Sequence, residues 1–526
     1  MIPEDQSEVS AFLGDPRNHG DGAGGVERID THGAMVFLAG DVVYKLKRAV
    51  KFPYMDFSTA AKRRRACEAE IEINRRTAPA IYKGVAPIVR KTGGGLAIGR
   101  LGETPGAAID WVVVMDRFDQ RGLFDRLAER GALDDGLMTE LAGAIAAFHA
   151  KARRRFDHGG AEGIAWVIEE NLQALDQDAP AIFDAELNDR LDTLWHETLA
   201  RHGELLERRR DDGFVRHCHG DLHLRNICVI GAKPTLFDAI EFNEAIACID
   251  ILYDLAFLLM DLERRGLRAL ANLLFNHYLA LGENFGDDMA PGNMAGLAAL
   301  PLFLSCRAGV RAQTSAAAAA MSQGDEAATR RLEHEARNYQ KMAVGFLEPE
   351  PARLIAIGGF SGSGKSTLAR RLAPRIGAAP GALVWRSDVV RKRLFGVDPL
   401  TPLGPEGYEA PVSRRVFAAI NQRSLAALEA GHAVVADAVF ANPAQRRAIE
   451  EVAARAGVRF TGLWLDAPPV LMEARLAGRT GDASDATPEV LHRQLERSPG
   501  PIGWHRIDAS GGIDAAVDAA NACLAG

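Results

Sequence analysis

Apolar positions recur with two rhythms along the chain, and each rhythm predicts a different architecture. Between residue 31 and about 116 the spacing is that of strands, interrupted by one charged helix at 59–76. Asp41-Val-Val-Tyr-Lys45-Leu-Lys47 alternates, which sets Lys45 and Lys47 on one face of a strand. Further strands are predicted near 85–90 and 111–116. Residues 120–215 carry helical spacing, with Leu137, Leu141, Ile145 and Phe148 on one face, and helices return from about 250 to 344. The Gly-, Asp-, Asn- and Pro-rich stretch 14–26 predicts a mobile loop. Gly345-Phe-Leu-Glu-Pro-Glu-Pro-Ala352 reads as a linker, because its prolines stop a helix. Beyond it, short apolar runs at 353–358, 382–386, 432–436, 460–465 and 504–508 alternate with helical segments. That order predicts a parallel sheet with right-handed crossovers in a three-layer α/β/α domain. The predicted division is 1–345 (a β-rich lobe at 27–116 and a helical lobe at 117–345), a linker at 346–352 and the α/β domain at 353–526.

Composition narrows the function classes. A chain of 526 residues holds about two to four domains. Its net charge of −8 argues against a large nucleic-acid footprint, which needs a basic surface. The cysteines, Cys67, Cys218, Cys228, Cys248, Cys306 and Cys523, are scattered without a C-x-x-C pair. They predict free thiols in a reducing compartment, and their spacing with His217, His219 and His223 fits no standard zinc motif. Met1-Ile-Pro-Glu-Asp-Gln has neither a basic n-region nor an apolar h-region. The longest apolar stretch, 296–306, is short for a membrane span and contains Pro301. The expectation is a cytoplasmic protein with no membrane partner. No pattern signals an oligomeric state.

The most specific motif is Gly359-Phe-Ser-Gly-Ser-Gly-Lys-Ser366, a G-x-x-x-x-G-K-[ST] phosphate loop between a predicted strand and a predicted helix. Gly359, Ser361, Gly362, Ser363, Gly364, Lys365, Ser366 and Thr367 are therefore candidate nucleotide-binding residues. Backbone N–H groups and the helix N-terminus face the phosphates, Lys365 reaches the β- and γ-phosphates, and the Ser366 hydroxyl sits on Mg²⁺. Strand 382–386 ends in Arg386-Ser-Asp388-Val-Val-Arg391. This D-x-x-R resembles that of gluconate-kinase-like and polynucleotide-kinase-like enzymes. The resemblance implies Asp388 as the acceptor of the substrate hydroxyl proton and Arg391 as a holder of an anionic substrate group. The competing reading is Asp388 as a helix N-cap. Ala433-Val-Val-Ala-Asp437 ends in a Walker-B-type acid, a candidate for Mg²⁺. Arg475 and Arg479, one turn apart, are candidate lid arginines that neutralise charge on the transferring phosphoryl group.

A second phosphate-transfer signature precedes the linker. In His219-Gly-Asp221-Leu-His-Leu-Arg-Asn226 the Asp-to-Asn spacing is that of the protein-kinase catalytic loop. There the Asp takes the hydroxyl proton and the Asn holds metal. Two short predicted strands follow, and Asp238 stands where the metal-binding Asp of a D-F-G segment stands. His-Gly-Asp in place of His-Arg-Asp resembles aminoglycoside phosphotransferases and related small-molecule kinases. That resemblance implies a nucleotide-contacting lysine, Lys45 or Lys47, and a partner acid from the helix at 59–76. Glu70 is favoured, with Glu68 and Glu72 as competitors. It also implies a structural role for Asp254 of Asp250-Ile-Leu-Tyr-Asp254-Leu-Ala. No full G-x-G-x-x-G loop precedes Lys45.

Over nearly its whole length, the chain resembles bacterial proteins described as bifunctional aminoglycoside phosphotransferase/ATP-binding proteins. The resemblance implies a protein-kinase-like bilobal domain followed by a P-loop domain, each using ATP and Mg²⁺ to phosphorylate a hydroxyl of a small molecule. Two alternatives are that one domain is an ATP-binding regulator of the other, and that the C-terminal domain is a nucleic-acid 5′-hydroxyl kinase. The helical lobe carries no motif that names the acceptor.

Overall fold

The computed structural model describes all residues except 1–3, 20–23, 53–54, 105, 107, 179–180, 283–293, 323, 480, 497 and 526. Packing divides the chain into two compact units: Met1–Val167 with Leu206–Asp261, and Ile168–Leu205 with Leu262–Gly526.

The first unit is built on a six-stranded antiparallel sheet. Its strands run in the spatial order Val26–Asp30, Ala34–Ala39, Val42–Lys47, Ala108–Asp116, Tyr82–Arg90, Leu96–Ile98. Strand alternation gives the sheet two apolar faces. Val43, Val113 and Met115 pack against Cys67 and Ile71 of helix Ala60–Asn74. Phe37, Leu46 and Val112 pack against Val9 and Leu13 of helix Ser7–Gly14, which the sequence reading did not anticipate. Helix Ala60–Asn74 begins at Thr59, whose side chain accepts from the Lys62 N–H. Its Arg63 is buried and donates to both carboxylate oxygens of Asp110, at 2.7 and 2.9 Å, which anchors the helix to the sheet. Of the loop predicted at 14–26, Pro16–Asn18 forms a short 3₁₀ turn and residues 20–23 lie outside the described set.

In the second unit five parallel strands run in the order Leu383–Arg386, Val434–Asp437, Arg353–Gly358, Arg459–Asp466, His505–Asp508. Each lies within two residues of a predicted strand. The chain leaves Arg353–Gly358 toward one edge and later returns to fill the other. The phosphate loop thus follows the strand at which the order reverses, the position where open α/β sheets bind ligands.

The helices at 168–205 and 262–347 belong to the same compact unit as this sheet. Leu383–Arg386 is an edge strand, and its exposed backbone groups are met by helix Arg268–Gly282. Asn276 Oδ1 accepts from the Val384 N–H at 2.8 Å, and Asn272 donates to the Ala382 carbonyl at 3.0 Å. Arg268 donates to the carbonyls of Pro374 and Gly377. Side-chain amides satisfy an edge that would otherwise invite another strand. The predicted linker is shorter than its sequence suggests, since helix Glu326–Leu347 runs through Gly345. Pro301 falls in the first turn of helix Leu300–Met321, where a missing N–H leaves no bond unmade. The helical stretch Met294–Met321 is therefore longer than the sequence reading allowed. It is the one stretch among the described residues long and apolar enough to cross a membrane, and 72% of its apolar window is buried inside the protein.

His432, just before strand Val434–Asp437, is 1% exposed and its ring lies 6.0 Å from that of Phe275. Burial lowers its pKa from 6.5 to about 4. As pH falls from 6.5 to 4 the unfolded chain takes up this proton first, so the second unit loses about 3 kcal/mol of stability across that window. Denaturant unfolding at a series of pH values is expected to show this slope in the native chain. His432→Gln is expected to remove that contribution.

Candidate active sites

In the first unit the segment His219–Asn226 is held from behind. Asp254 accepts from the backbone N–H of His219 at 3.1 Å and of Gly220 at 2.9 Å, and His149 Nε2 lies 3.0 Å from the same carboxylate. His219 Nε2 lies 2.9 Å from the Phe237 carbonyl, which ties this loop to the segment leading to Asp238. Asn226 donates to the Asp221 side chain at 2.8 Å and to its carbonyl at 2.9 Å. Strands Ile227–Ile230 and Lys233–Leu236 pair antiparallel with Ile227 opposite Leu236. The Phe237 N–H donates to the Asn226 carbonyl at 3.0 Å. Asn226 and Asp238 therefore flank one end of a hairpin.

Asp238 has φ +62°, a left-handed conformation that a non-glycine residue adopts only when its surroundings enforce it. Here the Asp238 N–H donates to the Tyr82 hydroxyl and the Ala239 N–H to Asn74 Oδ1. Lys45 Nζ contacts Asp238 Oδ1 at 2.5 Å and Glu70 Oε1 at 2.8 Å. Lys47 Nζ contacts the other oxygen of Glu70 and also Glu241. The three acids offered by the helix at 59–76 are separated by this geometry. Glu70 is fully buried between the lysines, whereas Glu68 pairs with Arg64 at the surface and Glu72 is exposed. Burial works against the Glu70 carboxylate, but Lys45 and Lys47 outweigh it and lower its pKa to about 2. Burial likewise works against the Lys45 ammonium, and Asp238 and Glu70 raise its pKa well above the ordinary lysine value.

Among the described residues one His/Cys/acid group, His149, Cys218 and Asp254, has metal-like spacing. The Asp254 oxygens are occupied by backbone N–H groups and His149, and Cys218 Sγ faces the Ile249 carbonyl, so the cluster is a brace behind the loop.

In the second unit the glycines of the phosphate loop differ in the room around them. A Cβ on Gly359 would meet the Leu465 carbonyl at 2.7 Å, and one on Gly362 the Met472 carbonyl at 2.5 Å. Gly364, at φ +100°, has nothing nearer than 3.9 Å, so the hollow opens there, at the N-terminus of helix Lys365–Leu372. Ser363 Oγ is buried in the loop without a hydrogen-bond partner among the described residues. Ser366 is half-buried and Thr367 is exposed on the first turn of the helix. Lys365 Nζ folds back onto the Phe360 carbonyl at 2.9 Å. Burial lowers its pKa, opposed by the neighbouring Asp437 and Asp388. Asp437 ends the strand beside the loop, opposite Ile357, and its carboxylate lies 3.6 Å from Arg386 Nε. Burial raises the Asp388 pKa, helped by the adjacent Asp437.

Three sequence readings look different in the fold. Asp388 is not the N-cap of its helix; that position is Arg386, and Asp388 sits in the first turn. Arg475 is not a free lid arginine, although its guanidinium lies nearest to Gly364. Its guanidinium is spent on the carbonyls of Gly362, Ser363 and Ala509, at 3.5, 3.4 and 2.9 Å, and so braces the loop. Arg391 donates to the Gly407 carbonyl at 2.7 Å and lies over the Tyr408 ring, and its buried Nε has no hydrogen-bond partner among the described residues. Arg479 remains close enough to influence Lys365 and lies 3.9 Å from Asp482.

Sequence reasoning missed several residues around this site. Gln494 brackets Ser361, accepting from its N–H at 2.9 Å and donating to its hydroxyl at 3.1 Å. Asp482 pairs with Arg386 at 2.9 Å, Ser484 bonds the Asp388 side chain, and Asp485 binds Lys392 and the Tyr408 hydroxyl. The polar run Gly481-Asp-Ala-Ser-Asp-Ala486 directly after Arg479 was the available signal. Glu241, three residues after Asp238, carried no motif of its own.

Residues 55–291 match the family model of the phosphotransferase enzyme family, and residues 354–501 match that of an AAA domain. The chain thus joins an aminoglycoside-phosphotransferase-type kinase domain to a P-loop kinase-like domain. An uncharacterized protein of Mycobacterium tuberculosis (strain ATCC 25618 / H37Rv) is 29% identical over 92% of both chains. Among solved structures, a gluconokinase from Sinorhizobium meliloti 1021 is 25% identical, covering 33% of this chain and 92% of its own, with a TM-score of 0.24. A choline/ethanolamine kinase family protein from Mesorhizobium loti is 14% identical, covering 65% of this chain and 98% of its own, with a TM-score of 0.36.

Because Glu70 is the shared counter-ion of two buried lysines, Glu70→Ala is expected to cost about 3–5 kcal/mol of stability. Glu68→Ala and Glu72→Ala, at the surface, are expected to stay within about 0.5 kcal/mol of the native chain. Urea unfolding of the three variants checks this ranking.

Proposed function

We propose that the chain is an ATP-dependent bifunctional phosphotransferase, each site moving the γ-phosphoryl group of Mg-ATP to a hydroxyl of a small molecule. The observation that carries this reading is two sets of direct contacts, Asp221 with Asn226 and Lys45 with both Asp238 and Glu70, tied by the Phe237 N–H to the Asn226 carbonyl, although the residues come from four places in the sequence. In the first unit Asp221 takes the proton of the acceptor hydroxyl, and its carboxylate is aimed by Asn226. Lys45 leaves Asp238 for the phosphates while Glu70 holds it in place. Asn226 and Asp238 are the oxygen donors that would hold the metal. In the second unit the N–H groups around Gly364 receive the phosphates, and Lys365 swings from the Phe360 carbonyl onto them. Ser366 and Asp437 would hold the metal, Asp388 takes the hydroxyl proton, and Arg479 neutralises developing charge. Both donor sets are oxygen-only, as a hard divalent cation requires. Magnesium, when bound, would supply positive charge that offsets the charge developing on the phosphate oxygens.

The paired state of the basic groups near Asp388 favours a small acceptor over a nucleic-acid end. Arg386 is engaged by Asp482 and Lys392 by Asp485, which leaves little bare positive surface for a phosphate backbone. The family models support phosphotransfer in general; the acceptors, the use of both sites and a place inside the cell belong to this proposal.

Asp221→Asn is expected to abolish one ATP-consuming activity and Lys365→Met another, each leaving the other intact. ADP release from the full chain across a panel of hydroxylated metabolites is the measurement. Identical profiles for both variants and the native chain would overturn the two-site reading. A site that binds ATP without turnover, yet changes the rate of the other, would point to a regulatory module.

A further inference from the structure

We propose that Lys47 and Glu241 form a second, sealed ion pair that positions Glu70 and, through it, Lys45; this rests on reading the first unit as a nucleotide site. The charges run in a line of alternating sign: Asp238, Lys45, Glu70, Lys47, Glu241. Exposure falls along it. The side chains of Asp238 and Lys45 are 43% and 13% exposed, while those of Glu70, Lys47 and Glu241 are 0%, 3% and 4% exposed. The open end is therefore where phosphates can reach, and the closed end is shut off from solvent. Phe57 helps close it, with its ring 5.5 Å from Lys47 Nζ and edge-on to Phe242.

Stability alone does not account for the closed end. Burying two more ions carries a desolvation cost that an apolar pair of the same volume would avoid. What the pair supplies is geometry. A carboxylate held by one lysine keeps a free oxygen and can rotate. Glu70 is held at both oxygens, by two lysines that the two-residue strand repeat places on one face. When Lys45 exchanges Asp238 for phosphate, Lys47 keeps Glu70 in position. Glu241 in turn keeps Lys47 from being drawn wholly to Glu70. The left-handed turn at Asp238 makes this possible, since it lets one short segment present Asp238 to Lys45 and Glu241 to Lys47. Lys47 and Glu241 are thus positioning residues that act through Glu70.

The test uses the full chain carrying Lys365→Ala, so that the second site does not report. Binding of a fluorescent ATP analogue with Mg²⁺ is titrated for Glu241→Gln and for the double variant Lys47→Met/Glu241→Leu. The double variant removes both charges at similar volume and is expected to fold at least as well as the parent. Each variant is expected to weaken binding about tenfold. In a Lys45→Met background the same changes are expected to have no further effect, because their route runs through Lys45. Equal losses with and without Lys45, or unchanged affinity in a folded double variant, would overturn the proposal. If Lys45→Met by itself left affinity unchanged, the nucleotide reading of the site would fall, and the proposal with it.

Discussion

The buried carboxylate of Glu70, shared by Lys45 and Lys47, is the interaction on which the first unit depends. It joins helix Ala60–Asn74 to the central strand Val42–Lys47, and through Lys45 it reaches the hairpin segment that carries Asp238. A charge with no access to water is tolerated only with counter-ions in place. Helix, strand and hairpin must therefore hold their relative positions, and each contributes a group to the candidate site. The apolar contacts around Cys67, Ile71 and Val113 bring these elements together, and the ion pairs set their register.

The second unit solves a similar problem with backbone. Its loop follows the strand where the sheet order reverses, and two of its glycines, Gly359 and Gly362, are pressed against carbonyls that leave no room for a side chain. Arg475 and Gln494 brace the loop from outside, one through carbonyl groups and the other through Ser361. The hollow is thereby shaped before any anion enters, which lowers the ordering cost of binding. The loop 482–485 holds the opposite wall, touching Arg386, Asp388 and Lys392 in succession.

The edge strand that leads to Asp388 is also read by the helices. Asn272 and Asn276 match the backbone groups of its outer side, and Arg268 caps the carbonyls nearby. The sheet at 353–526 is thus joined to the preceding helices by packing and hydrogen bonds as well as by the chain at Glu348–Ala352. A displacement of helix Arg268–Gly282 would be felt at the strand carrying Arg386 into the site.

By itself the sequence determined whatever depends on near neighbours. Strand and helix periods located all five parallel strands and three of the six strands of the antiparallel sheet, because side-chain alternation is a local consequence of backbone geometry. The spacing of Asn226 and Asp238 implied that they flank one hairpin, since the two short strands between them, Ile227–Ile230 and Lys233–Leu236, admit little variation. Only the tertiary structure decided which groups meet across long separations. Lys45 and Asp238 stand 193 residues apart and Lys47 and Glu241 194, so no local pattern links them. The same holds for Arg475, which resembles a lid arginine by spacing but whose partners are carbonyls 112 and 113 residues away. Charge type and spacing name a residue's abilities; packing, which sets distance and burial, selects the ability that is used.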